Sequence, residues 1–132
     1  MAMRVELVSP ERVVYEGDAL LVIARTTDGE IGFLPGHVPF VGVMVPSVVR
    51  IALEDAGEVQ RIAVHSGFVE VSNDHVTLLC DVAELADDID VDRAREALAR
   101  AEEALRSGDN DGLAAEAKAR ATARLTAAGV AV

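Results

Sequence analysis

With 132 residues, 51% of them hydrophobic, the chain is long enough for one ordinary domain, or a small domain with an appendage, and apolar enough to exclude wholesale disorder. Twenty-three acidic residues against twelve basic ones give a net charge of −11. That balance argues against nucleic acid as a partner, because phosphate backbones are bound by an excess of Lys and Arg.

Up to about residue 86, short β-branched runs alternate with turn residues. The strand candidates in chain order are Arg4–Val8, Val13–Glu16, Ala19–Thr26, Phe40–Val45, Val48–Leu53, Val59–His65, Phe68–Val71 and His75–Asp81. Turn signals separate them: Ser9-Pro10, Glu16-Gly17-Asp18, Asp28-Gly29, Pro35-Gly36, Pro46-Ser47, Asp55-Ala56-Gly57, Ser66-Gly67 and Ser72-Asn73-Asp74. Many short strands with no helix between them predict an antiparallel sandwich or barrel. Partial alternation in Val59–Val64 and Phe68–Val71 fits half-buried strands.

Beyond residue 86 alanine dominates and β-branched residues thin out. Asp90 is a good N-cap ahead of Val91, and Asp92 sits in the first turn, where the helix dipole favours an acid. Ala94, Leu98, Ala101 and Leu105 repeat at helical spacing. Ser107-Gly108-Asp109-Asn110-Asp111 forms a break with fresh N-cap candidates. A second helix carries Leu113, Ala117, Ala121, Leu125 and Ala128 and stops near Gly129. Two amphipathic helices with a short polar loop predict an antiparallel hairpin. The fold class is therefore α+β, with a β-sandwich over 1–86 and a helical hairpin over 87–132.

The hairpin seams hold only four leucines among alanines. A buried Leu contributes roughly 1.5–3 kcal/mol, and the backbone entropy of ordering two helices opposes it. The hairpin is expected to be marginal and to close with help from the sandwich, a ligand or a partner. Such an element suits switching.

Chemistry for catalysis is not evident. There is no Ser-His-Asp arrangement with a local signature, no P-loop, no dinucleotide glycine fingerprint and no HExxH. His37, His65 and His75 are scattered without metal-ligand spacing. Cys80 is the sole cysteine, so no internal disulfide is possible; it lies in the apolar run Val76–Cys80 and reads as a buried core thiol. No apolar run approaches the ~20 residues that span a bilayer, and Met1-Ala2-Met3-Arg4 lacks the apolar core of a signal peptide. The expectation is a non-enzyme kept in the cytoplasm, with membrane contact only through partners.

The most specific stretch is Asp28-Gly29-Glu30-Ile31-Gly32-Phe33-Leu34-Pro35-Gly36-His37-Val38-Pro39. Its glycines and prolines predict a fixed, non-regular path with an exposed Glu30 at the start. Taken alone it is equally a long structural connection. The run G-E-I-G-F-L-P-G-H-x-P resembles the signature of the epsilon subunit of F-type ATP synthases. Leu7-Val8-Ser9-Pro10-Glu11 through Tyr15-Glu16-Gly17 resembles that family's opening hairpin. Gly67–Val71, Val76–Leu79 and Ala83-Glu84 resemble the end of its sandwich. The resemblance covers nearly the whole chain and rests on the order and spacing of these motifs.

The resemblance implies a non-catalytic subunit at the foot of the central rotor stalk. It implies a sandwich that binds the gamma subunit and the membrane ring of c subunits, with Glu30, Gly32, Pro35 and His37 at those contacts. The sandwich region is acidic, with five Arg against thirteen acids over 1–86, and an acidic foot complements basic loops. The resemblance also implies a place on the cytoplasmic face of the cell membrane, peripheral and held by the complex.

Ile89-Asp90-Val91-Asp92-Arg93-Ala94 matches the family's nucleotide-binding pattern I/L-D-x-x-R-A. Helical geometry supports it separately. Arg93 and Arg100 lie to one side of the first seam, Arg120 and Arg124 to the same signed side of the second, at roughly 50–110° on a 100° wheel. In an antiparallel pair folded about Asp109, those four guanidiniums converge on one surface, while Arg95, Arg106 and Lys118 fall on the other. Guanidinium forks suit phosphate. The family pattern implies that Glu84 and the backbone near Ile89 and Asp90 engage adenine and ribose. ATP is thus expected as a regulatory ligand, with no cofactor required. The bland alternative is a solvated arginine face paired with Glu96, Glu103 or Glu116. Released, the hairpin would extend toward the catalytic beta and alpha subunits and block hydrolysis, as the family does. The rival reading is a free-standing nucleotide-sensing module on a β-sandwich.

Overall fold

In a computed structural model that describes residues 2–53, 57–108 and 112–132, ten strands, a 3-10 turn and two helices follow one another along the chain. The strands are β1 (Met3–Val8), β2 (Val13–Ala19), β3 (Leu21–Thr26), β4 (Gly29–Phe33), β5 (Phe40–Met44), β6 (Ser47–Ala52), β7 (Val59–Val64), β8 (Gly67–Ser72), β9 (His75–Cys80) and β10 (Ala83–Leu85). The turn Ala86–Asp88 leads into α1 (Val91–Arg106) and then α2 (Leu113–Ala127). The predicted N-cap candidates Asp109, Asn110 and Asp111, and Asp55-Ala56 of one predicted turn, lie outside the described residues.

The strands join in the order β10-β7-β6-β3-β5-β8-β9-β1-β2, with β4 paired to β3 off this path. β3 is the fold line: Leu21–Ile23 pair with β6, while Thr26 at its other end pairs with Met44 of β5. The two halves close over one core, which takes Phe33, Val49, Ile51 and Ile62 from one and Met3, Val5, Leu7, Val69 and Leu78 from the other. Alternation is clean in β1, β6 and β9, where every second residue is buried. β7 departs from it: Ile62, Ala63 and Val64 are all buried, because α2 covers the strand's outer face.

Four expectations need correction. The sandwich is not wholly antiparallel, since β1 runs parallel to β9 in the register Val5↔Val76 and Leu7↔Leu78. Glu16-Gly17-Asp18 is not a turn but the end of β2, paired with Arg4–Glu6. The Tyr15 side chain folds across Gly17, where a Cβ would stand 2.9 Å from its hydroxyl and make the ring shift. The stretch expected to be irregular from Asp28 to Pro39 begins as a strand. Ile31 and Phe33 turn inward and the backbone pairs with β3, so ladder bonds and burial outweigh the breaking tendency of Gly29 and Gly32. Asp28 lies in the turn before β4, and Leu34–Pro39 is irregular. Lastly, Leu105 and Leu113 are 38% and 64% exposed, so the leucine seam is thinner than the spacing predicts.

The start of α1 and the end of α2 follow their sequence signals, whereas α2 begins after Gly112, at φ +85°, with no side-chain cap. The Asp90 carboxylate accepts the Arg93 N–H at 3.1 Å. α2 ends in a Schellman motif: Gly129 takes φ +82°, the Val130 N–H reaches Leu125 O at 2.9 Å, and the Gly129 N–H reaches Thr126 O at 3.1 Å. α2 buries two faces. Ala114, Ala121 and Leu125 serve the seam with α1, whereas Ala123 and Ala127 meet Ala63 and Ile89 on the sandwich. α1 packs chiefly on α2, so α2 is the layer that ties the hairpin down.

Candidate functional site

The hairpin meets the end of the sandwich around a hollow of about 420 Å³, lined by Glu84, Asp88, Asp90, Arg93, Ala94, Ala97, Arg100 and Arg124. Three elements supply its charges. β10 pairs with β7 through Glu84↔Ala63 and presents the Glu84 carboxylate. The N-terminal turns of α1 place Asp90, Arg93, Ala94 and, two turns on, Arg100 along one side. α2 brings Arg124 in from the opposite direction.

The carboxylates here are engaged. Glu84 Oε1 accepts from Arg124 Nε at 2.6 Å, a half-buried pair that links sandwich to α2. Asp88 pairs with Arg12 at 3.5 Å, and Asp90 caps α1. Arg93 and Arg100, by contrast, have no ion-pair partner among the described residues. None of Glu96, Glu103 or Glu116 pairs with a site arginine; Glu103 is taken by Arg106 at 2.8 Å. Arg95 and Lys118 line a separate hollow with Leu98 and Glu102. The result is two unneutralised guanidiniums facing a third, with carboxylates beside them that can accept from hydroxyl or amino groups. That arrangement fits a polyanion bearing hydrogen-bond donors.

The structure therefore gathers Glu84, Asp90, Arg93, Ala94, Arg100 and Arg124 around one hollow. Arg120 is not in it. Its position opens onto an adjoining groove shared with Arg100 and Arg124, and onto a cleft beside His65. The Ile89 side chain is only 9% exposed and packs on Ala63, Ala123 and Ala127, so it supports the hollow from behind. Sequence reading missed Asp88 and Ala97. The acid precedes the recognised pattern, and the alanine is indistinguishable by type from its many neighbours.

Glu30, Gly32, Pro35 and His37 do not form one loop face. Glu30 sits near the start of β4, bridged by Arg25 at 3.3 Å and Arg50 at 3.1 Å, and it borders a groove between the sheet and α2. Gly32 lies within β4 against Leu21. Pro35 and His37 are beyond the far end of that strand, in a turn anchored by the Gly36 N–H donating to Asp74 Oδ1 at 2.6 Å. The His37 ring stands edge-on to Phe33 at 5.0 Å.

A second surface was not foreseen. Val43, Phe68, Leu79, Val8 and Val13 are successive cross-strand partners over β5, β8, β9, β1 and β2. They form an outward-facing apolar row, with Phe68 54% and Leu79 49% exposed. The signal was legible: these residues occupy the phase of each strand that should be polar. Cys80 is core, and burial pushes its thiol up to about 12. Among the described residues no cluster of three or more His, Cys, Asp and Glu could hold a metal, and no helix is long and apolar enough to cross a membrane.

Comparison with known proteins places these features. The family model for the β-sandwich domain of the ATP synthase delta/epsilon chain matches residues 2–86, and that for its long α-helix domain matches residues 87–129. The ATP synthase epsilon chain of Thermobifida fusca (strain YX) is 51% identical over 124 residues, covering 91% of this chain and 88% of its own. That of Streptomyces griseus is 45% identical over 128 residues, covering 97% and 96%. A chain in the cryo-EM structure of the Euglena gracilis mitochondrial ATP synthase shares the fold, with a TM-score of 0.73 at 21% identity over 94% of this chain and 75% of that one. One in the Tetrahymena thermophila mitochondrial ATP synthase central stalk/c-ring structure does so with a TM-score of 0.63 at 16% identity, over 97% of each. The chain belongs to the ATP synthase delta/epsilon family, among the bacterial epsilon chains.

Proposed function

We propose that the protein is a non-catalytic central-stalk subunit of an F-type ATP synthase, in which the sandwich joins the rotor and the hairpin acts as an ATP-sensitive brake on hydrolysis. The observation that carries the regulatory half is the pair Arg93 and Arg100. They face Arg124 across a hollow without a counter-ion of their own. An anion that bonds the unpaired guanidiniums of α1 and also reaches α2 ties the two helices together, and so stabilises the closed hairpin. At about one hundred times its dissociation constant, such a ligand adds roughly 2.7 kcal/mol to the closed form.

The rotor half is supported by the apolar row Val43–Phe68–Leu79–Val8–Val13, which suits a protein docking face. The gamma subunit is the partner proposed for it, and the turn Leu34–Pro39 is proposed to meet the c ring. An exposed row of this kind disfavours a free-standing sensor. Coupling to proton flow and a seat at the cytoplasmic face of the membrane follow from that assembly. Released from the sandwich, the helices would reach toward the catalytic beta and alpha subunits and oppose hydrolysis.

The test is calorimetric titration of the isolated chain with ATP. Arg93→Ala and Arg100→Ala remove side chains that have no ion-pair partner among the described residues, so each should weaken binding by tenfold or more, as loss of a charge-assisted bond implies. Arg95→Ala should not. Equal affinity in all four proteins would end the assignment of this hollow. For the brake, removal of residues 88–132 should raise ATP hydrolysis by the assembled enzyme.

A further inference from the structure

Next to the arginine hollow, a cleft of about 380 Å³ separates the sandwich from α2, lined by Pro46, His65, Ser66, Asp81, Glu116 and Arg120. His65 follows β7 and is 7% exposed. Its backbone N–H is fixed to Val82 O at 3.1 Å. Its Nε2 is buried without a hydrogen-bond partner among the described residues. A polar ring this deep, with one nitrogen unsatisfied, is tolerated as a neutral imidazole and opposed as an imidazolium.

The charges around it decide the direction. From α2, Arg120 and Arg124 both disfavour a proton on His65, and Glu116 lines the cleft. From the sandwich, Asp81 and Glu84 favour one. Those two carboxylates are committed elsewhere. Asp81 accepts from Ser66 N at 3.0 Å, Ser66 Oγ at 2.8 Å and Val82 N at 2.7 Å. Glu84 is held by Arg124. Burial, and next Arg124, therefore hold His65 below the ordinary histidine value while the hairpin is closed. Undocking α2 removes Arg120 and Arg124 together and gives the ring water.

We propose that His65 is a proton-operated release for the hairpin: a proton taken up at this imidazole drives α2 off the sandwich. The sign follows from linkage. The open form binds the proton more tightly than the closed form, so closure is fully supported above the ordinary imidazole range and weakens as pH falls through it. The effect levels off once pH drops below the closed-form value. Acidification would thus favour the released hairpin. The proposal rests on the hairpin being the moving element, but not on ATP binding, and its test contains no nucleotide.

The full-length chain carrying fluorescent labels at Glu58→Cys and Glu96→Cys reports the separation of sandwich and α1. Between pH 8 and 5.5 the open-to-closed ratio should rise by at most about tenfold per pH unit, the limit for one proton. His65→Gln should flatten the response, Arg120→Gln should make it shallower, and a His37→Gln/His75→Gln variant should keep it. Should His65→Gln fail to close, the ring signal of His65 in the otherwise native chain still decides, and its midpoint must fall below about 6.5. A midpoint at or above that value, or an undiminished pH response in a folded His65→Gln chain, overturns the proposal. If ATP binding also fails at the arginine hollow while the pH response persists, only the nucleotide reading is lost.

Discussion

Replacing Ile89 by Ala separates the stability of the hairpin from that of the sandwich. Ile89 is the one large side chain in a small buried cluster whose other members, Ala63, Ala123 and Ala127, are alanines from β7 and α2. It does not belong to the sandwich core. Truncating a buried Ile costs about 2–5 kcal/mol. The low end applies, because the cluster lies at a seam whose walls are small and can close over the gap. A loss of about 2 kcal/mol is roughly a thirtyfold change in the docking equilibrium, at 1.4 kcal/mol per tenfold. Hydrogen exchange on the nucleotide-free chain should show α2 amides exchanging about thirtyfold faster, with β1 and β9 unchanged, as expected of separate cooperative units. Equal acceleration in β1, β9 and α2 would mean that sandwich and hairpin open together. An unchanged α2 would mean that docking does not depend on this cluster. Either result refutes the picture of a weakly tethered hairpin.

Other outcomes follow from single contacts. Gly67→Ala should destabilise the sandwich by more than about 2 kcal/mol in urea unfolding, since a Cβ there would stand 1.9 Å from the Leu79 carbonyl. Glu84→Gln should weaken hairpin docking by no more than about 1 kcal/mol, the scale of a partly exposed ion pair, and the difference from the native chain should shrink in high salt. Phe68→Asp with Leu79→Asp should leave the melting curve of the isolated chain nearly unchanged, both side chains being about half exposed, yet abolish copurification with the membrane ATPase if the apolar row is the docking face.

What the sequence made legible was local. Strand phases, the Asp90 cap and the Gly129 stop are written in neighbouring residues, and each appears in the structure. Two strands escaped notice for different reasons. β4 carries two glycines that read as punctuation, and its pairing with β3 is decided by Ile31 and Phe33 finding the core. β10 has three residues, too few for a period. The parallel β1–β9 pair and the covered outer face of β7 are tertiary facts, invisible to periodicity. At the site, Arg93, Arg100 and Arg124 were readable because a helix fixes side-chain direction. Arg120 lies in the adjoining groove with Arg100 and Arg124 and beside His65, because α2 turns a second face to the sandwich, which a two-helix wheel omits. Glu30 is exposed as expected, but its ion pairs with Arg25 and Arg50 depend on strand pairing and are not visible in the local sequence.

The alanine richness of α2 has a physical consequence that joins these observations. α2 lies between a partner helix and a sheet and presents small residues to both, Ala121 and Ala123 being buried at 0% and 4% exposure. Close approach is then possible, but each residue buries little apolar area, so the seam gains little per contact. With the apolar contribution low, the charged groups along the same seam carry a larger share of the balance. Those groups are Glu84 and Arg124, joined at 2.6 Å, with His65 and Arg120 next to them. An anion or a proton acting there works against a small opposing term. A leucine-rich α2 would hold the same charges in place and make them irrelevant to position.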